Sequence, residues 1–393
     1  MLPDQTLDEI YSQFTSFIAI DLDAIQHNVR ALLNHIGPSV ELFGVVKANA
    51  YGHGAVPVAR ALIESGAPRL AVARTDEGLQ LRRAGIDIPI LNLGYNVPAE
   101  AEALVAHDLT ATVNTVDGAQ ALSARAGALG KTATVHINID TGMGRYGQLP
   151  ADVLPFLDAI GKLPGLDLEG IYTHFSVADA ADKAYSHQQF DAFQRVLAAV
   201  SDAGYTFRLR HAANSAAILD LPATHLDAVR PGVALYGLYP SPDVSTAVGL
   251  RPALSLHSHL ARVRTLPAGS SVGYGRTFTT GHATPIGLVP VGYGDGYHRL
   301  LSNRGAALIN GQRAPIVGRV SMDQLTVDLS GIENVSQDSR VVLLGGQGAA
   351  RISAEEIAAH AETINYEVVT GLTGRLPRIY LKNGRVVEVL RLT

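Results

Sequence analysis

Glu41-Leu-Phe-Gly-Val-Val-Lys-Ala-Asn-Ala-Tyr-Gly-His-Gly-Ala-Val-Pro-Val-Ala-Arg-Ala-Leu-Ile-Glu64 reads as strand, turn and helix in one unbroken stretch. Glu41–Val46 is a short apolar run of the kind that forms a buried strand. Tyr51-Gly-His-Gly54 is a turn, and Pro57 stands near the start of the helical pattern that follows, where proline is tolerated. Lys47 therefore finishes a core strand just where a loop begins. Most lysines lie on solvated faces. This one is either an amine snorkelling out of a strand end or a desolvated amine able to form a Schiff base.

The same unit recurs outward from this stretch. Apolar runs occur at Leu42–Lys47, Leu70–Ala73, Ile88–Leu93, Thr110–Val113, Val135–Asp140, Leu168–His174, Arg208–Asn214 and Ala228–Leu235. Helical patterns fill the gaps, among them Glu77–Ala84, Ala99–Ala106, Val116–Ala128, Val153–Lys162 and Ala184–Ala203. Eight strands, each followed by a helix-length segment at a spacing of roughly 25 residues, predict an α/β fold closed as a (β/α)8 TIM-like barrel. A doubly wound open sheet is the alternative, and the strand count favours closure. The rhythm stops near Tyr239-Pro-Ser-Pro-Asp-Val-Ser-Thr246, a linker pattern.

Beyond the linker the pattern is mostly β. Strands are expected at His257–Arg264, Ile286–Val291, Ala306–Ile309, Ala314–Val320 and Leu325–Leu329, with one helix at Ala354–Glu362. Asn310-Gly311 and Asn383-Gly384 are hairpin signals. The expected organisation is an N-terminal segment over residues 1–22 whose strand Phe17–Leu22 pairs with the C-terminal domain, a barrel over 23–240, and a β-rich domain over 241–393.

Composition sets the outer limits. The 393 residues are 47% hydrophobic and 17% charged, an ordinary globular balance with room for two domains. The net charge of −5 carries no basic patch for nucleic acid or an acidic membrane surface. Cysteine is absent, which excludes disulfides, thiolate catalysis and cysteine-based metal sites. Met1–Glu9 has neither the basic nor the apolar region of a signal peptide, so a cytoplasmic location is expected.

In a (β/α)8 barrel the active site lies at the C-terminal ends of the strands. The polar residues expected there are Lys47 and Tyr51, Asp140-Thr-Gly-Met-Gly-Arg145, Tyr172-Thr-His174, His211-Ala-Ala-Asn214-Ser215, and Arg230-Pro-Gly232-Val233. The last two sets follow strands seven and eight, the usual phosphate site of such barrels. A phosphorylated carbonyl cofactor beside a lysine points to pyridoxal phosphate. Other motifs lead nowhere. Asp140-Thr-Gly lacks the second Asp-Thr-Gly or Asp-Ser-Gly of an aspartic-protease dyad. His257-Ser-His259 lacks carboxylate or cysteine partners for a metal. Gly292-Tyr-Gly-Asp-Gly296 lacks dinucleotide-loop spacing, and no Walker-type lysine motif occurs.

Val45-Val-Lys47-Ala-Asn-Ala-Tyr51-Gly-His-Gly54 resembles the cofactor-lysine motif of alanine racemases. Asp140–Arg145, Tyr172-Thr-His-Phe175, Ala213-Asn-Ser215, Arg230-Pro-Gly-Val-Ala-Leu-Tyr-Gly237, Val272-Gly-Tyr-Gly275, Gly318-Arg-Val-Ser-Met-Asp-Gln324 and Ile364-Asn-Tyr-Glu-Val368 resemble that family in the same order. The resemblance implies a pyridoxal-phosphate barrel with a β-domain, working as a homodimer on alanine. It would supply D-alanine for peptidoglycan or allow D-alanine catabolism. By motif, Lys47 carries the cofactor. Tyr51, Ser215, Gly232, Val233 and Tyr366 resemble its phosphate shell, beside Asn214. Arg230 resembles the arginine at the pyridine nitrogen and Arg145 the one near the phenolic oxygen. Tyr274 resembles a second base reaching in from the partner subunit, with Met322 and Asp323 beside it, His174 as a relay, and Tyr293 at the substrate entrance. A broad-spectrum amino-acid racemase is a second reading. A decarboxylase of the same fold is a third, and it would favour a carboxylate where Arg230 stands. A non-catalytic cofactor-binding barrel would not need the Tyr274 domain.

One position departs from the family pattern. Many alanine racemases carry a carbamylated lysine where this chain has Asn138. Period two puts His136, Asn138 and Asp140 on the barrel-interior face of strand five. A neutral amide cannot supply the missing negative charge. An unpaired buried or half-buried guanidinium is costly, so a bound chloride between Asn138 and Arg145 is expected, with water or a nearby carboxylate at Arg145 as the alternative.

Overall fold

The computed structural model describes residues 5–391 and separates into two compact units. The first to be taken up comprises Ile25–Ala50 and Ala55–Arg251. Its strands are β1 (Glu41–Val45), β2 (Arg69–Val72), β3 (Ile90–Asn92), β4 (Leu109–Val113), β5 (Ala133–Ile139), β6 (Leu166–Thr173), β7 (Leu209–His211) and β8 (Ala228–Val229). All eight run parallel and close on themselves, with Glu41 opposite Ala228 and Leu42 opposite Val229. Every residue of β3 and β4 is buried, as expected where helices cover one face and barrel filling the other. The covering helices are ended by local chemistry. Thr115 accepts the Gly118 amide at the start of Val116–Leu129, and Gly130 closes that helix with φ +63.

The other unit comprises the residues through Ala24, Tyr51–Gly54 and those from Pro252 onward. Strand Ser16–Asp21 runs antiparallel to Leu254–His259 and parallel to Arg378–Lys382. These belong to an eight-stranded sheet that also holds Ala306–Ile309, Gln312–Pro315, Arg340–Gln347, Ala350–Ile352 and Arg385–Leu390. Asn310-Gly311 and Asn383-Gly384 both turn hairpins with two consecutive positive φ angles, as their composition predicts.

Several strand expectations need correction. His257–Arg264 is not one strand: Leu254–His259 stays in the large sheet and Arg262–Leu266 joins Thr284–Val289 and Leu325–Asp328 in another. The break falls where the Leu260 amide bonds Ser339 and the Ala261 amide bonds Leu288, so the chain changes sheets there. Ala314–Val320 is also too long, because regular pairing covers only Gln312–Pro315. Arg340–Gln347, Arg378–Lys382 and Arg385–Leu390 went unrecognised as strands. Among the described residues, no helix is long and apolar enough to cross a membrane.

Candidate active site

Lys47 follows β1 at the C-terminal end of the barrel strands. What comes next is unusual. Ala48, Asn49, Ala50 and Tyr51 all have φ between 51 and 54, a left-handed turn built without glycine. That conformation costs about 1–2 kcal/mol per residue for L-amino acids. Several bonds hold it. The Glu77 carboxylate accepts the Ala48 amide at 2.6 Å, the Ala50 amide reaches Val46 at 2.8 Å, and the Asn49 side chain accepts the Ala55 amide at 2.8 Å. Glu77 also accepts the Ala73 and Arg74 amides, so one carboxylate joins the Lys47 turn to the start of the helix Thr75–Arg83. Gly52 continues the turn at φ +83, where a Cβ would overlap the Val369 carbonyl. Burial, then the charge of Arg145, push the Lys47 amine below its ordinary pKa; Glu77 opposes this and Arg230 adds to it.

Arg230 is buried at the end of β8. Its Nη2 donates to the Thr173 carbonyl at 2.7 Å, the Ala212 carbonyl at 3.0 Å and His174 Nδ1 at 3.3 Å. Its Nη1 donates to His211 Nδ1 at 2.7 Å. Guanidinium only donates. The accepting ring nitrogens are therefore unprotonated, and neutral His174 carries its proton on Nε2. Burial and the neighbouring Arg230 lower the His174 pKa to about 3. Burial lowers Arg230 to about 10, which leaves it charged at neutral pH. Tyr172 lies under the guanidinium, 5.0 Å from carbon to ring centre.

Asp140 organises the loop that carries Arg145. Its carboxylate accepts the Gly142, Gly144 and Arg145 amides at 2.9–3.0 Å. Burial pushes that carboxyl up, and the loop amides outweigh it to hold the pKa below the ordinary value. Asn138 is buried; its Nδ2 donates to the Tyr146 carbonyl at 3.1 Å and its Oδ1 has no partner among the described residues. The Arg145 side chain is exposed, so water can solvate that charge.

The loops after β7 and β8 meet at Ser215. Its Oγ accepts the Gly232 amide at 2.9 Å and the Ala234 amide at 3.3 Å, which leaves the hydroxyl proton to donate. Asn214 caps the helix Ser215–Asp220 through the Ala217 amide, and Val233 opens the short helix Val233–Tyr236. The first amides of a helix have no intrahelical acceptor and suit an anion. Gly232 positions the serine here.

The remaining expected residues belong to the other unit. Tyr51 and Tyr366 are neighbours, with ring centres 6.2 Å apart. Tyr293, Met322 and Asp323 gather around one loop pair: the Tyr293 amide bonds Ser321, the Gly294 amide bonds Met322, and Arg375 pairs with Asp323 at 2.8 Å. Tyr274 opens a short turn between Gly273 and Gly275, both at positive φ, and is 71% exposed. Glu77, Glu169 and His136 had no assigned role in the sequence reading. Glu77 left a signal, standing three residues into a helix start, where a carboxylate suits the amides, and alternation placed His136 on the barrel interior.

Sequence and structure comparisons fall on the same family. The model for the alanine racemase N-terminal domain matches residues 20–240, and that for the C-terminal domain matches 253–380. The chain belongs to the alanine racemase family. It is 48% identical to an alanine racemase of Desulforamulus reducens over 92% of this chain and 98% of that one. It is 46% identical to one of Desulfosudis oleivorans over 97% and 100%. The crystal structure of alanine racemase from Bacillus anthracis with bound L-Ala-P is similar at 41% identity and a TM-score of 0.91, covering 96% of this chain and 97% of that one. The Bartonella henselae alanine racemase with covalently bound pyridoxal phosphate is similar at 30% identity and a TM-score of 0.84, covering 94% and 100%.

Proposed function

We propose that this chain is a pyridoxal-phosphate-dependent isomerase that interconverts L- and D-alanine. The observation that carries the reading is Lys47: a half-buried amine at the mouth of a closed barrel, lowered in pKa by burial and by two arginines. The donor set fits the cofactor. Lys47 would hold its carbonyl carbon. The Ser215 hydroxyl and the amides at Val233 and the start of Ser215–Asp220, with Tyr51 and Tyr366, would take its phosphate. Arg230, with Nε–H and one Nη1–H not engaged by any described group, would donate to its ring nitrogen.

When bound, pyridoxal phosphate supplies a carbonyl that joins an amine and a ring that takes up the electrons left when the α-proton departs. The chain's own residues then move protons. Racemisation removes a proton from one face and returns one to the other, so it needs two bases. Lys47 is one; a lowered pKa makes its neutral amine available. Tyr274 is the other, reaching the site from the partner subunit of a homodimer. His174, neutral and protonated on Nε2, can donate to the Tyr274 oxygen when that oxygen is anionic. Arg230 can donate to a ring nitrogen but cannot protonate it. That weakens the ring as an electron sink and disfavours transamination. Arg230 at this position also argues against the decarboxylase reading.

The test is incubation of the purified protein and pyridoxal phosphate with each L-amino acid in deuterium oxide, following α-deuteration and chirality. Alanine should racemise with deuterium gain well ahead of the others. Equal rates across many amino acids would support the broad-spectrum reading, and none would overturn the proposal. Mixed dimers of Lys47→Ala and Tyr274→Phe should regain activity, because one of their two shared sites holds both intact residues. A small anion, most simply chloride, would sit between Asn138 and Arg145. Its support is charge: Lys47, Arg145 and Arg230 act together on the site, and Asn138 is neutral. Bromide-soaked crystals should show anomalous density beside Arg145; unchanged kinetics in halide-free buffer with water at that place would remove the anion.

A further inference from the structure

Inside the barrel, beneath Arg230, runs a line of hydrogen bonds that the proposed mechanism does not use. Arg230 Nη1 meets His211 Nδ1 at 2.7 Å, His211 Nε2 meets His136 Nδ1 at 2.8 Å, and His136 Nε2 meets a Glu169 oxygen at 3.0 Å. Both imidazoles are fully buried. The two ends decide every proton between them. A guanidinium can only donate and a carboxylate can only accept. His211 must therefore accept on Nδ1 and donate from Nε2, and His136 must do the same. A second proton on either ring would set an N–H against an N–H. Burial, the largest cause, likewise lowers both histidine pKa values.

The packing is built around these rings. His211 lies between Phe43 and Tyr172, with ring centres at 5.2 and 4.7 Å and tilts of 28° and 12°. Gly170 leaves room for His136, since a Cβ there would overlap the imidazole. Glu169 is anchored in turn by Arg69 at 3.2 Å and Arg208 at 3.5 Å.

We infer that Glu169, His136 and His211 are positioning residues that fix the rotamer and donor direction of Arg230, and so control how far the bound cofactor favours racemisation over transamination. The inference rests on the proposed placement of Arg230 at the ring nitrogen. With the chain intact, three of its four Nη–H groups are taken up by protein carbonyls and rings, and only the remaining N–H groups can face the site. Without Glu169, His136 loses its anionic acceptor and is free to take the other tautomer. His211 can then turn an N–H toward Arg230 and push the guanidinium out of register.

The holoenzyme labelled with 15N-histidine tests the proton pattern directly, with signals assigned through His136→Gln and His211→Gln. Both rings should be neutral and protonated on Nε2. An imidazolium, or an Nδ1-protonated ring, at either position overturns the inference without any mutant needing to work. Glu169→Gln tests the consequence. It should lower kcat on the order of tenfold, the scale of one weakened charge-assisted hydrogen bond. The KM for alanine should change little. Pyruvate formed per racemisation turnover should rise by about the same factor, and the visible spectrum of the bound cofactor should shift. Arg69→Gln removes the outer ion pair and leaves the line intact, so it should lower Tm without changing the pyruvate ratio. If Glu169→Gln behaves like Arg69→Gln, losing stability alone, Glu169 is an ordinary buried ion-pair partner and the inference fails. A wild-type protein that neither binds the cofactor nor racemises alanine sinks the underlying reading as well.

Discussion

The barrel contains two polar regions of opposite character. At its mouth, Lys47, Arg145 and Arg230 are basic side chains that act on one another, and Lys47 leads into a strained left-handed turn. In its interior, His211, His136 and Glu169 have their bonding directions fully dictated by one another. The proposed cofactor would bond to donors at the mouth, whereas the interior groups bond to one another. The difference teaches where rigidity comes from. A site that must present free donors cannot be held by those donors, so it is held from behind.

The largest way to break this comparison is at the mouth. Lys47→Ala should reduce racemisation by roughly 10²–10⁴-fold or more, since it removes a general base as well as the cofactor's attachment. A chirality assay with added pyridoxal phosphate reads it. The fold should survive, because the turn is held by Glu77 and Asn49 rather than by the amine. Tyr274→Phe should slow loss of an α-deuteron from one enantiomer by up to roughly 10²–10⁴-fold while sparing the other. Equal slowing of both would make Tyr274 a structural residue.

Acid should destabilise the interior, and His174 at the mouth with it. His136 and His211 have folded pKa values below the ordinary 6.5. As pH falls through 6.5 the unfolded chain takes up protons that the folded chain refuses. Stability is therefore full above 6.5 and declines below it, by about 1.4 kcal/mol per pH unit for each ring. Glu169 adds a second phase. Burial pushes its pKa up, but the bond from His136 and the charges of Arg69 and Arg208 win and hold it at about 2. Its contribution is full above 4.5 and lost between 4.5 and 2. Urea unfolding across pH 7 to 3 should show both phases, and a flat profile between 6.5 and 5 would contradict the neutral-histidine account.

The smallest effect sharpens the comparison. Ala48 is exposed at φ 52. Ala48→Gly should relieve its left-handed strain and raise stability by up to about 1 kcal/mol, partly offset by the added freedom of the unfolded chain. Thermal melts check the sign. A loss of Tm would mean that the turn is not strained.

The mouth was legible in the sequence and the interior was not. Lysine after an apolar strand, arginine after Asp-Thr-Gly, and Ser215 and Gly232 after strands seven and eight stand at the strand ends, where barrel chemistry collects. The two Asn-Gly hairpins were equally plain, because their residues state their backbone angles. The Lys47 turn was hidden for the opposite reason: Ala-Asn-Ala-Tyr has no glycine to announce four positive φ values. The histidine line was hidden because its members lie on three strands, with a register shift at Val135/His136 that no alternation pattern reveals. The exposure of Arg145 was not visible either, since its loop is folded back by Asp140 through backbone amides.

The central claim is that Lys47 carries the cofactor, and chemical trapping tests it most directly. The protein isolated with pyridoxal phosphate should be yellow, and borohydride reduction followed by peptide mapping should find the cofactor fixed to the peptide containing Lys47. A colourless protein, or label on any other lysine, would contradict the account.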